Sequence, residues 1–424
     1  MKNKYISLIT KTLSNNIFKT FSLYTFANAL VAASMFLLIP FMTRKLDIES
    51  LGYVFLFQSF LAVFFIIVGL GSQSIIQTMF HKSQSKFGSY VSSAIMNSFL
   101  VWLFLSIFIY FNTSLFKFLF LEFHHVVFIA VFFSFFYFIQ NLVQSIMQTM
   151  EMPKNYFLLA VTYAMLIFFV TIIYLYLIQP IWYARIWGIG IGILVSLLLS
   201  IYFLNRINLT FPSVSKMWEL LSVGSFVIIH SFAMLLINQT DRLLIGSLLD
   251  PSQVGIFGVP AQLASSISVI GSGISMAFAP MLYKALSKKN NDSYRMALDV
   301  RNKAIVALFI ITLFIVIGIF FLSDLILGQE FPFNFEVFLI LISAYLLFGF
   351  YHFFSSYFYF FKKTKMLSLL TFSIAILNIV FSYLLIPLLG IKGAAIGTLL
   401  AYILGLFVAI ICSKIILKKF DFKS

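Results

Sequence analysis

Residues 241–283 read DRLLIGSLLDPSQVGIFGVPAQLASSISVIGSGISMAFAPMLY, and this stretch decides which solvent the chain is built for. It opens on an acid–base pair, Asp241 and Arg242, at the end of an apolar run. It turns at Leu249-Asp250-Pro251 and continues as a long apolar segment interrupted by Gly255, Gly258, Pro260, Gly271, Gly273 and Pro280. Each breaker would weaken a helix in a soluble core. A membrane helix tolerates them, because neighbouring helices and side-chain hydroxyls satisfy the freed backbone groups. Its glycines also let a partner helix approach closely.

The rest of the chain agrees. It has 424 residues, 62% hydrophobic and 10% charged, with a mean hydropathy of +1.06; soluble domains carry about 25% charged residues. A chain dissolved in lipid crosses it as helices or as a closed barrel. The apolar runs are about twenty residues long and do not alternate, which fits helices and excludes barrel strands. The fold class is therefore an all-α polytopic membrane protein. Twelve transmembrane helices are expected, at roughly 20–41, 51–77, 88–112, 124–148, 155–178, 187–205, 218–239, 253–281, 303–323, 334–361, 366–386 and 394–416.

Charge placement orients the spans. With these boundaries, 22 of the 28 Lys and Arg fall on the side of the termini and six on the other. By the positive-inside rule both termini face the cytosol. The net charge of +15 thus reports topology rather than a nucleic-acid partner. Residues 1–20 are basic, with apolar residues at helical spacing, and read as a cytosolic amphipathic segment. The longest loop, about 282–302, is basic and cytosolic, and no outer loop exceeds about fifteen residues. The single cysteine, Cys412, excludes an internal disulfide or a cysteine metal site. His124 and His125 are adjacent, so they diverge by about 100° on a helix and do not chelate one ion. No phosphate-binding glycine loop, HExxH or GxSxG is present, which argues against an ATP-driven pump or a hydrolase. No cofactor is expected.

The two halves echo each other. Leu46-Asp47-x-x-x-Leu51-Gly52 matches Leu249-Asp250-x-x-x-Val254-Gly255, an offset of 203. Tyr176-Leu177-x-x-Pro180-x4-Arg185-x4-Gly190 matches Tyr383-Leu384-x-x-Pro387-x4-Lys392-x4-Gly397, an offset of 207. Both fall at outward-facing hairpins. Duplication of a six-span unit makes parallel repeats and places a substrate cleft between two lobes. The expected organisation is an N-lobe at 20–207, a cytosolic linker at 208–217, a C-lobe at 218–416 and a tail at 417–424.

Thr240-Asp241-Arg242-Leu243-Leu244-Ile245-Gly246, Val254-Gly255-Ile256-Phe257, Pro280 and Ile386-Pro387-x-x-Gly390-x-x-Gly393-Ala394-Ala395-Ile396-Gly397 resemble a polysaccharide flippase of the multidrug/oligosaccharidyl-lipid/polysaccharide exporter superfamily. Leu51-Gly52-Tyr53, Gln58-Ser59, Gly69-Leu70-Gly71 and Met150-Glu151-Met152-Pro153-Lys154 extend the resemblance into the first half. It is most specific to the O-antigen repeat-unit flippases. It implies a transporter of the bacterial inner membrane that passes undecaprenyl-diphosphate-linked oligosaccharide to the periplasmic leaflet by alternating access. An H⁺ or Na⁺ gradient would drive it, and a polysaccharide polymerase and chain-length regulator would be partners. Two alternatives are an integral-membrane O-antigen polymerase or ligase, and a drug or cation antiporter of the same superfamily. The first lacks its usual large outer loop here; the second needs acids within the spans, whereas here acids cluster at span ends.

A diphosphate headgroup calls for fixed cations with bidentate donors. Arg242, with its neighbour Asp241, and Arg44 are the first candidates; Arg185 and its repeat partner Lys392 follow. Gln58, Asn238 and Gln239 are candidates for sugar hydroxyls. His230 and His352 are candidates for ion coupling, since histidine titrates near physiological pH. Gly255, Gly258, Pro260, Gly271 and Gly273 are hinge candidates. Asp47 and Asp250 read as helix caps.

Overall fold

The computed structural model describes residues 2–112, 124–205, 207–288 and 291–418. These are helical throughout, apart from short turns. Helix α1 (Lys2–Lys45) joins the expected N-terminal segment and the first span into one rod. Helix α2 (Ile48–Gly69) ends where Leu70 and Gly71 adopt positive φ, 49° and 66°. There α3 (Ser72–Lys82) begins, so the second span is two helices. Next come α4 (Phe87–Phe111), α5 (His124–Thr149) and α6 (Pro153–Ile173), which starts on a proline whose missing N–H costs nothing there. Helix α7 is Tyr183–Leu204 and α8 is Val214–Leu248. Asp250 caps α9 (Pro251–Ser287), its carboxylate accepting from the Gln253 backbone N at 2.9 Å, as the sequence suggested. Helices α10 (Asn291–Leu327), α11 (Phe335–Phe360), α12 (Thr364–Leu389) and α13 (Ile391–Lys418) complete the chain. Gly390, at φ 60°, makes the turn between the last two.

Among the described residues, eleven helical segments are long and apolar enough to cross a membrane. The protein is an all-α polytopic membrane protein. The remaining expected span, 218–239, lies in α8, several of whose side chains are outside those described. One expectation fails: the supposed long loop at 282–302 is largely helix, because α9 runs to Ser287 and α10 starts at Asn291. The charges that marked it as a loop lie on helix ends that continue past the apolar stretches. The phenylalanines find a use on α4 and α10, where Phe104, Phe108, Phe111, Phe314, Phe320 and Phe321 are exposed, as suits a surface solvated by lipid.

The chain divides into two compact units. Unit 1 holds Met1–Leu46 and Phe60–Ser231; unit 2 holds Asp47–Ser59 and Phe232–Ser424. The core of unit 1 forms where Phe138, Leu142 and Ile146 of α5 meet Ile76 of α3, Val91 and Ala94 of α4, and Ala160 of α6, all fully or almost fully buried. The expected linker, 208–217, falls within unit 1. That segment is stitched to α4: Ser89 Oγ donates to the Phe211 carbonyl at 3.2 Å, Ser93 Oγ accepts from Ser213 N at 3.0 Å, and Asn97 Nδ2 donates to the Met217 carbonyl at 3.1 Å. The division falls inside α8 instead.

The first half of α2 packs in unit 2, and its glycine shows why. A Cβ on Gly52 would overlap the Pro251 carbonyl, and a Cβ on Gly255 would overlap the Ile48 carbonyl. Ile48 and Pro251, like Gly52 and Gly255, are 203 residues apart. The two copies of the repeated motif therefore grip each other reciprocally, each glycine against the first turn of the other helix.

Candidate functional site

Asp241 lies two turns before the end of α8 and is 4% exposed. Its carboxylate turns toward α12 and α13. Ser382 Oγ donates to Oδ1 at 3.2 Å, and Thr398 Oγ1 donates to Oδ2 at 2.8 Å. Asn378 Nδ2 donates to Thr398 Oγ1 at 2.9 Å. Asn378 and Ser382 are four residues apart and so share one face of α12. Both, like Thr398, are fully buried. The Ala394 carbonyl lies 3.1 Å from Thr398 Oγ1. Small residues permit this convergence: a Cβ on Gly397 would strike the Ser382 backbone, and one on Gly393 the Leu385 carbonyl. The Oδ1 of Asn378 is buried and accepts no hydrogen bond. The result is a carboxylate ringed by neutral oxygens, one with an unused lone pair, an arrangement suited to a proton or a hard monovalent cation.

Arg242 does not share this pocket. Successive residues on a helix diverge by about 100°, so Arg242 points to the first half of α2 instead. Its guanidinium carbon stands 5.7 Å from the centre of the Phe55 ring, and Nη1 donates to the Asn238 carbonyl at 3.0 Å. The residue is 7% exposed. The expected acid–base couple is thus split between two environments within unit 2.

The other candidates scatter. Gln239 Oε1 accepts from Ser59 Oγ at 2.9 Å, an interhelical pair. Asn238 is exposed and donates to the Met234 carbonyl at 2.7 Å. Gln58 is half-buried on α2, and Arg44 is exposed on the last turn of α1. Lys392 is half-exposed and paired with Glu336. Its repeat partner Arg185 is 1% exposed inside unit 1. His352 packs edge-on to Phe348 with centroids 4.9 Å apart. The His230 side chain lies outside the described residues. Of the hinge candidates, Gly255, Gly258 and Gly271 are packing notches against Ile48, Phe55 and Gly349, whereas Gly273 faces open space. Pro260 lies within an unbroken α9. Sequence reasoning passed over Asn378, Ser382 and Thr398. The one legible signal was the i, i+4 pair Asn378–Ser382 in an otherwise apolar run.

The fold is thus an all-α polytopic bundle with an ionisable cluster deep in one unit. It is shared with a solved structure titled "Lipid II flippase MurJ, inward closed conformation", at TM-score 0.72 and 18% identity over 92% of this chain and 87% of that one. It is shared also with an inward-facing multidrug resistance MATE family transporter of the MOP superfamily, at TM-score 0.66 and 17% identity over 94% and 96%. Residues 17–286 match the family described as "Polysaccharide biosynthesis protein"; the chain belongs to that family. It is similar to "Lsg locus putative protein 1" of Haemophilus influenzae, 26% identical over 268 residues. That match takes in 60% of this chain and 63% of the relative's length.

Proposed function

We propose that the protein is a flippase, not an enzyme, that carries undecaprenyl-diphosphate-linked oligosaccharide from the cytoplasmic to the periplasmic leaflet of the inner membrane. It works by alternating access, with both termini in the cytosol. The observation that carries the reading is the Asp241 cluster. A buried carboxylate in a spanning helix costs about 2.5–3.5 kcal/mol on insertion scales, and one ringed by Ser382, Thr398 and Asn378 is a seat for a coupling ion. The same buried acid removes the earlier ground for setting a drug antiporter aside, so the cluster speaks for ion coupling and family membership for a saccharide cargo over a drug. Arg242 and Arg44 are the residues we assign to the diphosphate, with Asn238 and Gln58 to sugar hydroxyls.

The coupling role moves from the histidines to Asp241. Whether H⁺ or Na⁺ is carried is decided by the same residue: a proton would sit on Oδ2, while Na⁺ would recruit Asn378 Oδ1. The experiment is a deletion strain scored for lipid-linked repeat units trapped in the inner leaflet. Wild-type protein should clear them; Asp241→Asn should reach the membrane and fail to. Clearance by Asp241→Asn would remove the cluster from the mechanism. Sugars joined by the purified protein in vesicles would favour the polymerase reading.

A further inference from the structure

The repeat makes Arg185 and Lys392 equivalent, yet their surroundings differ. Lys392 is half-exposed and has its own carboxylate, Glu336. The position corresponding to Glu336 in the first repeat is Ile129, 207 residues earlier. Arg185 is buried, and neither its Nε nor its Nη1 makes a hydrogen bond. The described carboxylates of unit 1 are engaged or placed elsewhere. Glu219 accepts from the Tyr90 hydroxyl at 2.7 Å, and Glu151 lies in the turn between α5 and α6. Glu122 lies outside the described residues.

A second buried donor is close by. Gly188 sits one turn from Arg185 on the same face of α7. There the Thr171 hydroxyl of α6 occupies the space a Cβ would take, and that hydroxyl too is buried with no partner. Tyr163 of α6 packs its ring against Gly192, two turns further along α7. Two unpaired guanidinium nitrogens and a spare hydroxyl, all donors, share one interior surface with no acceptor supplied to them among the described residues. Buried donors are rarely left unmet, and a buried arginine is rarely left without an opposite charge.

We infer that Arg185 holds a small inorganic anion of chloride size inside unit 1, with Thr171 as a second donor. Burial to 1% selects against a phosphate ester on a lipid and for an ion that sheds its water readily. Such an anion would be bound whatever the protein transports, so loss of this site and loss of the flippase reading are separate outcomes.

The test is binding of radiolabelled chloride to the purified full-length protein in detergent. Thermal unfolding is followed alongside in chloride or gluconate at equal ionic strength. Wild type should bind chloride saturably and unfold several degrees higher in chloride, as linkage requires of a ligand held only by the folded state. Arg185→Met should abolish both effects. Thr171→Val, a milder change that keeps the guanidinium, should weaken chloride binding about tenfold, as lost supporting groups do at other ion sites. Glu122→Gln should leave both effects intact. No saturable binding by wild type, or full binding by folded Arg185→Met or by Thr171→Val, would overturn the assignment. So would chloride binding that appears only in Glu122→Gln, since the carboxylate would then be the natural partner.

Discussion

At the scale of single residues, two neighbours show how little sequence adjacency says about role. Asp241 and Arg242 read as a couple, but the helix turns one toward α12 and α13 and the other toward α2. Their substitutions should therefore separate. Thr398→Val removes a donor to the carboxylate and should weaken the coupling ion about 10–100-fold, measured as a raised ion concentration for half-maximal transport. Arg242→Ala should lower surface polysaccharide without altering that ion dependence; an equal shift in both variants would show that the two residues act as one. The glycines of α9 give a second contrast. Gly255→Val must displace the Ile48 carbonyl and should destabilise the protein by about 1–3 kcal/mol. Gly273→Ala meets nothing within 4 Å and should stabilise the helix by about 0.5–1 kcal/mol. If Gly273→Ala folds more tightly yet transports more slowly, Gly273 is a hinge; unchanged transport would discard that role.

At the scale of helices, the spans were readable because twenty apolar residues in a row have few other uses. The cap at Asp250 was readable too, since an acid before a proline at a helix start satisfies an orphan N–H. Asp250→Ala should cost about 1 kcal/mol, seen as a lower midpoint of thermal unfolding. The site was less legible. Serine, threonine and asparagine are ordinary residues in membrane helices, and only the packing of α12 on α13 through Gly393 and Gly397 turns three of them toward one carboxylate. The supposed loop at 282–302 misled for the opposite reason. Lysines and arginines mark where lipid ends, but a helix can continue past its apolar stretch, and α9 and α10 do. Their combined charge keeps its topological meaning: reporter fusions at 284–302 should report the cytosol, and a periplasmic signal would reverse the orientation.

At the scale of the whole molecule, two spaced echoes were visible in the sequence, while the division into units was not. Nothing in the composition of 208–217 says that it is tied to α4, or that Asp47–Ser59 belongs with the second unit. Those facts depend on which surfaces meet, and one sequence read alone does not contain that. The reciprocal clasp of Gly52 on Pro251 and Gly255 on Ile48 carries a consequence for descent. In a forerunner half this length, a single glycine would have met the same carbonyl of an identical twin, the self-complementary contact of a two-fold homodimer. Fusion of two such genes would free each copy to diverge, one with a buried acid and the other with a buried arginine, without surrendering the handshake between them.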